Sequence, residues 1–296
     1  MKPKIIFSIV NYNTKNALDN CLGSIKKTQK EHGIFVFDNA SVDGSKEMVE
    51  KKYPEAKLIK KEKNVGFGAG HNAVLKEAEY DYAVITNSDI IFLDGIEKTV
   101  KIFSDNPKIG ACSIKLLNPD RTVQKNVYPI PTLKTEIAAR IPFIKNPYSG
   151  YRFDYEKKGK VGCFNGACFV VNKKALDEVG LFGDEFFAYG EETDLFLRMQ
   201  RKAWEVYYCP ETKAIHLGGQ TTKELEKRHL MYFESLLKFF RKNYGRGNES
   251  CLRAIATASS AIDFAKNVLL SFADGSRLKD ARFDIEIIKI CLRGIA

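Results

Sequence analysis

Residues 1–219 predict an α/β fold, a parallel sheet covered by helices on both faces, and residues 220–296 predict a helical extension of it. Three observations carry this reading. Short continuous apolar runs alternate with helix-length amphipathic stretches over the first hundred residues, the pattern of parallel strands buried on both faces. Three of these runs end in clusters of Asn, Asp, Ser and Thr. Beyond Gly219 the apolar positions fall at helical spacing.

Ile5–Val10 is the first apolar run, followed by a helical pattern through Leu18, Leu22 and Ile25. Ile34–Phe37 is the second, with a helix over Ser45–Lys52. Leu58–Ile59 marks a third strand, His71–Ala78 a helix, and Tyr82–Thr86 a fourth strand. Pro119, Pro129, Pro131, Pro142 and Pro147 break residues 118–160 into loops, which suit the border of an acceptor site. Cys163–Val171 reads as one further strand and Phe186–Lys202 as a helix. In the extension, Leu225, Tyr232, Leu236, Phe239 and Phe240 share a broad face. Ile255, Ile262 and Leu269 recur every seven residues, as do Ala258, Ala265 and Phe272, which reads as a packing stripe.

Composition narrows the class. With 44% hydrophobic and 28% charged residues, the chain is an ordinary globular protein and not a disordered one. Its net charge is +10, of which the last 77 residues hold +5 from 14 Lys/Arg against 9 Asp/Glu. Such a tail suits anionic lipid, a phosphorylated acceptor or nucleic acid, or is simply a solvated helical surface. Seven scattered cysteines without a C-x-x-C pair point to reduced, mostly buried thiols in the cytosol. The N-terminal segment lacks a signal-peptide pattern, and no apolar stretch is long enough to span a bilayer.

The polar strand endings are Asn11-Tyr12-Asn13-Thr14, Asp38-Asn39-Ala40-Ser41 and Thr86-Asn87-Ser88-Asp89. In an open α/β sheet, ligands bind beyond the carboxyl ends of the strands, and three such endings in succession favour a shared site over simple helix capping. Asn64–Asn72 (NVGFGAGHN) is Gly-rich and opens a helix, which suits close backbone approach to phosphate, although it has neither Walker nor Rossmann spacing. Glu191-Glu192-Thr193-Asp194 gathers three acids at a helix start. Carboxylates there suit proton abstraction, but helix-dipole stabilisation alone also favours them.

Taken together, SIVNYNT (8–14), VFDNASVDGS (36–45), NVGFGAGHN (64–72), TNSD (86–89), NGACFVV (165–171), FAYGEETDLFLR (187–198) and His216 in AIHLGG resemble the family 2 inverting glycosyltransferases. The order and spacing agree over about residues 4–245, and the bacterial rhamnosyltransferase-like members are the most similar. The resemblance implies a GT-A fold, a Rossmann-like, mostly parallel mixed sheet flanked by helices. It divides residues 1–219 into a nucleotide-sugar-binding half, 1–117, and an acceptor or catalytic half, 118–219.

It also implies roles. Asp38 accepts the N3–H of uracil or thymine, and Val10, Asn11, Asn13 and Thr14 surround the nucleoside. Asn64, Gly66 and Asn72 lie near ribose and donor, with Asn87 and Ser88 beside them. Asp89 and His216 hold Mg²⁺ or Mn²⁺ against the diphosphate. The family's D-x-D motif reads Asn-Ser-Asp here, which leaves Asp89 as its one carboxylate, enough for a cation that fills its shell with phosphate and water. Asn165, Gly166 and Arg198 border the sugar or acceptor. Glu192 stands where the family usually has a catalytic Asp, flanked by Glu191 and Asp194; Asp194 and Arg198 are spaced to pair on one helical face.

The expected activity is transfer of a sugar from a UDP- or dTDP-sugar, with dTDP-rhamnose the nearest analogy, to a hydroxyl on a glycan or lipid-linked acceptor in bacterial envelope synthesis. Two other readings stand beside it. A sugar-1-phosphate nucleotidyltransferase would carry a Gly-rich basic loop after the first strand, where this chain has NYNTKNA. A binding module that has lost catalysis draws on the Asn-Ser-Asp and Glu-Glu departures. No nucleic-acid partner is expected. The tail leaves open docking on the inner membrane face, packing on the catalytic domain, or pairing in a homodimer.

Overall fold

The computed structural model describes residues 3–29, 32–141, 143–218 and 225–293. Pro142, Gly219 and the Leu225 side chain, singled out above, lie outside what it describes. The chain forms two compact units, one of Met1–Ile130, Arg152–Phe187 and Glu191–Lys223, the other of Pro131–Tyr151, Ala188–Gly190 and Glu224–Ala296. The proline-rich residues 131–151, with 188–190, thus group with the C-terminal helices.

The first unit is built on β1 (Ile5–Asn11), α1 (Lys15–Thr28), β2 (Gly33–Asp38), α2 (Ser45–Lys52), β3 (Lys57–Lys60), α3 (Phe67–Glu77), β4 (Tyr82–Asn87), β5 (Ile90–Phe92), α4 (Glu97–Asp105), β6 (Ile109–Leu117) and β7 (Val127–Tyr128). After α5 (Leu133–Arg140), which belongs to the second unit, come β8 (Gly159–Lys160), β9 (Cys163–Phe164), β10 (Cys168–Asn172), α6 (Lys173–Val179), α7 (Glu191–Arg201) and β11 (Glu205–His216). A nine-stranded sheet runs β3-β2-β1-β4-β10-β6-β11-β5, with β8 on β11, while β7 and β9 pair separately.

The apolar runs fold as strands because both faces are covered. Phe7, Ile9, Val36, Phe37, Val84 and Ile85 are fully buried, and α1 lays Leu18, Cys21, Leu22 and Ile25 against the sheet. The result is a mixed, mostly parallel sheet with helices on its flanks, in place of the wholly parallel sheet read from the runs alone: β10 is antiparallel to β4 and β6, and β5 to β11. Cys163–Val171 is not one strand. Asn165-Gly166 turns between β9 and β10, which pair with different sheets. The helix expected from Phe186 begins only at Glu191, since Tyr189 (φ 66°) and Gly190 (φ 85°) adopt left-handed backbone that no helix accepts. α3 starts earlier than expected, inside the Gly-rich loop at Phe67.

The second unit holds α5, α8 (Leu225–Ser271) and α9 (Arg277–Leu292). Thr132 and Thr135 close a reciprocal capping box at the start of α5, and its Glu136 is buried against Arg140 and Tyr148. α8 is interrupted at Gly245, whose φ of 84° breaks the helix. Phe233, Leu236, Leu237, Phe239 and Phe240 are buried before that break, whereas Tyr232 is exposed. The heptad stripe after it is not a packing face within this chain: Ile262, Leu269 and Phe272 are 69%, 71% and 89% exposed. Against α9, α8 buries Leu252, Ala256 and Ser260 while α9 buries Ala281, Ile287 and Cys291. All seven cysteines are free, and every one but Cys251 is buried. Among the described residues, no helix is long and apolar enough to cross a membrane.

Candidate active site

Register places the polar strand endings side by side. Asn11 lies opposite Asp38, and Val10 opposite Asn87, so β1, β2 and β4 deliver their carboxyl ends to one level. The Asn11 amide donates to Asp38 Oδ2 and to Ser41 Oγ, each at 3.0 Å, and its carbonyl accepts from Thr14 Oγ1 at 2.6 Å. The Ser41 backbone N–H donates to Asp38 Oδ1 at 2.9 Å. Asp38 is therefore a buried carboxylate held by two donors, with lone pairs left for a further one. Thr14 and Ser88 hydroxyls meet at 2.7 Å, which ties the first ending to the third. Asn13 and Ala40 both adopt positive φ, 53° and 67°, and Asn13 is held by Ser41 and by the Val42 N–H. Asn tolerates that conformation because its short side chain bonds locally. Asn11 and Thr14 are thus spent on shaping the Asp38 cradle.

The Gly-rich loop is pinned by Asn39, part of the second polar strand ending but given no role from the sequence. Asn39 donates to the Gly66 carbonyl at 3.1 Å and accepts from the Val65 N–H at 2.7 Å. Asn64 accepts from the Gly66 N–H at 2.9 Å. Gly66 has φ 93°, and a Cβ there would overlap the Phe187 carbonyl oxygen, which accepts the Phe67 N–H at 3.0 Å. Gly70 lies so close to β1 that a Cβ would stand 2.8 Å from Val10 Cγ2. The Asn72 side chain is anchored on the Phe182 backbone, donating to its carbonyl at 2.8 Å and accepting its N–H at 3.0 Å.

Three walls converge on the acids at the start of α7. A Cβ on Gly68 of the Gly-rich loop would lie 3.6 Å from the Glu191 side chain, and one on Gly166 of the β9–β10 turn 3.6 Å from Glu192. Tyr128 of β7 brings its hydroxyl 3.3 Å from Glu192 Oε1. Both glutamates are buried, and Glu191 Oε2 has no hydrogen-bond partner among the described residues. Burial, and after it the adjacent Glu192 charge, hold the Glu191 carboxyl well above the usual carboxylate range. Asn165 caps its own turn by accepting the Ala167 N–H at 3.3 Å. Asp194 is fully buried and accepts from Arg198 Nε at 2.8 Å, while the rest of that guanidinium donates to the carbonyls of residues 179–181. That pair clamps α7 to the end of α6.

Asp89 and His216 meet at 3.5 Å, brought together because β11 pairs antiparallel with β5 and sets His216 opposite Ile90. The Gln124 side-chain oxygen lies 2.7 Å from His216 Nδ1. With its proton on Nδ1 toward Gln124, His216 would have Nε2 available beside Asp89 for a cation, as metal-ligating histidines do. No third His, Cys, Asp or Glu completes a cluster among the described residues. Two donors of this chemistry fit a cation whose other ligands are phosphate and water. Asn39, Ser41, Gln124 and Tyr128 are the functional-site residues that sequence reasoning did not assign. The first two stand within the VFDNASVDGS segment; the other two come from a stretch without a motif.

A model of the family described as "Glycosyl transferase family 2" matches residues 7–180. The chain belongs to that family. A further match is 25% identical over 240 residues, covering 75% of this chain and 78% of the relative, an N-acetylglucosaminyl-diphospho-decaprenol L-rhamnosyltransferase of Mycobacterium tuberculosis. The mannosyltransferase PcManGT of Pyrobaculum calidifontis, solved with GDP-Man and Mn²⁺, superposes with TM-score 0.59 at 14% identity over 99% of this chain and 87% of that one. Residues 1–349 of S. aureus TarS, solved with UDP, superpose with TM-score 0.51 at 17% identity over 97% and 89%. The protein is a glycosyltransferase of GT-A fold, with the acid-bearing start of α7 beside the Gly-rich loop and the Asn165-Gly166 turn.

Proposed function

We propose that this glycosyltransferase moves a sugar, with inversion, from a UDP- or dTDP-sugar to a hydroxyl of a glycan or lipid-linked acceptor. The observation that carries the proposal is the convergence of the Gly-rich loop and the Asn165-Gly166 turn on adjacent acids of α7, at Gly68 with Glu191 and Gly166 with Glu192. Donor and acceptor walls then share one carboxylate pair. Asp38 reads the N3–H of the base with its remaining lone pairs. Glu192 takes the proton of the acceptor hydroxyl as that oxygen bonds to the anomeric carbon. The bond from the anomeric carbon to the diphosphate oxygen breaks, and its electron pair leaves with the nucleoside diphosphate. Attack from the face opposite the leaving group inverts the centre.

Asp89 and His216 would hold Mg²⁺ or Mn²⁺, which supplies neutralisation of the leaving diphosphate when bound. The named substrate of the mycobacterial relative supports a rhamnosyl donor, and a polyprenyl-diphosphate-linked acceptor of bacterial envelope polysaccharide synthesis. Peripheral placement at a membrane follows from that acceptor.

A thermal-shift screen of UDP- and dTDP-sugars with and without Mn²⁺ tests the donor, dTDP-rhamnose with Mn²⁺ being expected to raise Tm most. Release of nucleoside diphosphate from that donor should then fall about 10²–10⁴-fold in Glu192→Gln. Undiminished release after both Asp89→Ala and Glu192→Gln would sink these roles.

A further inference from the structure

Gln124 reaches His216 from a hairpin that closes directly on the end of β6. Leu117 bridges Val123 antiparallel, the Asn118 N–H donates to the Thr122 carbonyl at 2.8 Å, and the Gln124 N–H donates to the Leu116 carbonyl at 2.9 Å. Because β6 runs parallel to β11 with Leu117 opposite Ile215, the hairpin lies beside the last residues of β11. Four of its side chains make one line of hydrogen bonds. Thr122 Oγ1 lies 2.6 Å from Asp120 Oδ1, and Asn118 Nδ2 lies 2.9 Å from Thr122 Oγ1. Gln124 Nε2 then lies 3.1 Å from Asn118 Oδ1, and Gln124 Oε1 2.7 Å from His216 Nδ1.

The direction of this line is set from its outer end. An ionised carboxylate can only accept, and the Thr122 hydroxyl, followed by the Thr122 N–H, holds the Asp120 carboxyl below the usual carboxylate range. The single hydroxyl proton of Thr122 is therefore spent on Asp120, which leaves its oxygen to accept from the Asn118 amide. An amide that turns its NH₂ to Thr122 turns its oxygen to Gln124. Gln124 must then give its NH₂ to Asn118 and its oxygen to His216. An acceptor facing Nδ1 calls for a proton on Nδ1, and a neutral imidazole so protonated has its lone pair on Nε2. Asp89 pulls the other way, since a carboxylate beside Nε2 favours a proton there. Gln124 stands at 2.7 Å from the ring and Asp89 at 3.5 Å, beyond ordinary N–H···O reach, so Gln124 wins.

We propose that Asp120, Thr122, Asn118 and Gln124 form a relay of fixed polarity that positions His216, holding its proton on Nδ1 so that Nε2 is kept as a lone pair for a divalent cation shared with Asp89. The proposal rests on the reading of Asp89 and His216 as the residues that hold the cation. Gln124 is the positioning residue, and the other three orient it. A cation arriving at such a ring displaces no proton from Nε2, whereas the other tautomer would have to lose or move one first.

The tautomer can be read without metal or substrate, by ¹⁵N NMR of the histidine side chains in the full chain at about pH 9, above the ordinary imidazole range. His216→Ala assigns the signals of that ring. In the wild type, Nδ1 should carry the proton and Nε2 none. Gln124→Leu removes the acceptor and leaves Asp89 to draw the proton to Nε2. Gln124→Glu restores an acceptor and should restore the Nδ1–H form. Thr122→Val frees the Asn118 amide to turn and should give a mixture of tautomers. Mn²⁺ alone, titrated in and followed by EPR, should bind about 10–100-fold more weakly in Gln124→Leu and close to wild type in Gln124→Glu. A wild-type ring protonated on Nε2, or an Nδ1–H ring unmoved by both Gln124→Leu and Thr122→Val, overturns the relay. Mn²⁺ binding that is as tight in His216→Ala as in the wild type overturns instead His216 as a ligand, and the role of the relay falls with it.

Discussion

At the scale of single residues, the site is set by where a side chain is forbidden as much as by where one acts. Gly66 stands at φ 93° with its α-carbon against the Phe187 carbonyl oxygen. Gly66→Ala therefore meets both a left-handed backbone and an overlap with main chain that cannot swing away. We expect a loss of about 1–3 kcal/mol, read as a lower Tm, together with weaker nucleotide-sugar stabilisation. Gly247→Ala is the control: it lies in α8 with nothing within 4 Å and should leave Tm unchanged or raised. Asp38, Asp89 and His216 were legible from the sequence because motif order fixes their neighbours. Gln124 and Tyr128 were not, since each is brought to its partner across 92 and 64 residues of chain respectively by strand pairing that no local pattern encodes. Asn72 shows the opposite case, a motif residue whose amide is engaged by the Phe182 backbone.

At the scale of elements, periodicity located helices and strands but did not assign their partners. The first four strands were legible because continuous apolar runs have little alternative to a doubly covered sheet. The antiparallel insertion of β10 between β4 and β6 was not, as an apolar run reads the same in both directions. Strand β6 was passed over because Ser113 and Lys115 interrupt its apolar run; Lys115 is buried nonetheless, paired with Glu156. In α8, the same helical spacing describes two faces with opposite fates. Phe240 is fully buried and Ile262 is 69% exposed. Phe240→Ala should cost about 3–5 kcal/mol by chemical denaturation, whereas Ile262→Gln should stay within about 0.5 kcal/mol. A large loss in the second variant would mean that the exposed stripe is covered in solution.

At the scale of the molecule, stability carries the imprint of one buried base. His71 is fully buried under the Gly-rich loop, its Nδ1 2.7 Å from Ser8 Oγ, and Nε2 has no hydrogen-bond partner among the described residues. Burial lowers its pKa from 6.5 to about 3. The unfolded chain accepts a proton on this ring as pH drops through 6.5, and the folded chain accepts one only near 3. The His71 contribution is thus fully present above pH 6.5 and is lost as pH falls toward 3, by up to about 1.4 kcal/mol per pH unit. Denaturation midpoints across that window should fall more steeply in the wild type than in His71→Gln. Equal slopes would show that the ring is hydrated or partnered in solution.

The Asp89–His216 pair joins the residue before β5 to the end of β11, its neighbour in the sheet, 127 positions apart in the chain, with the β6 and β10 segments synthesised between them. A ribosome that has delivered the Asp38 cradle and the Gly-rich loop has still not made β11. On the roles proposed above, the residues for the nucleoside are made well before the second residue for the cation. The two halves of substrate recognition would then have different birthdays, and cation binding would report that the last strand has docked.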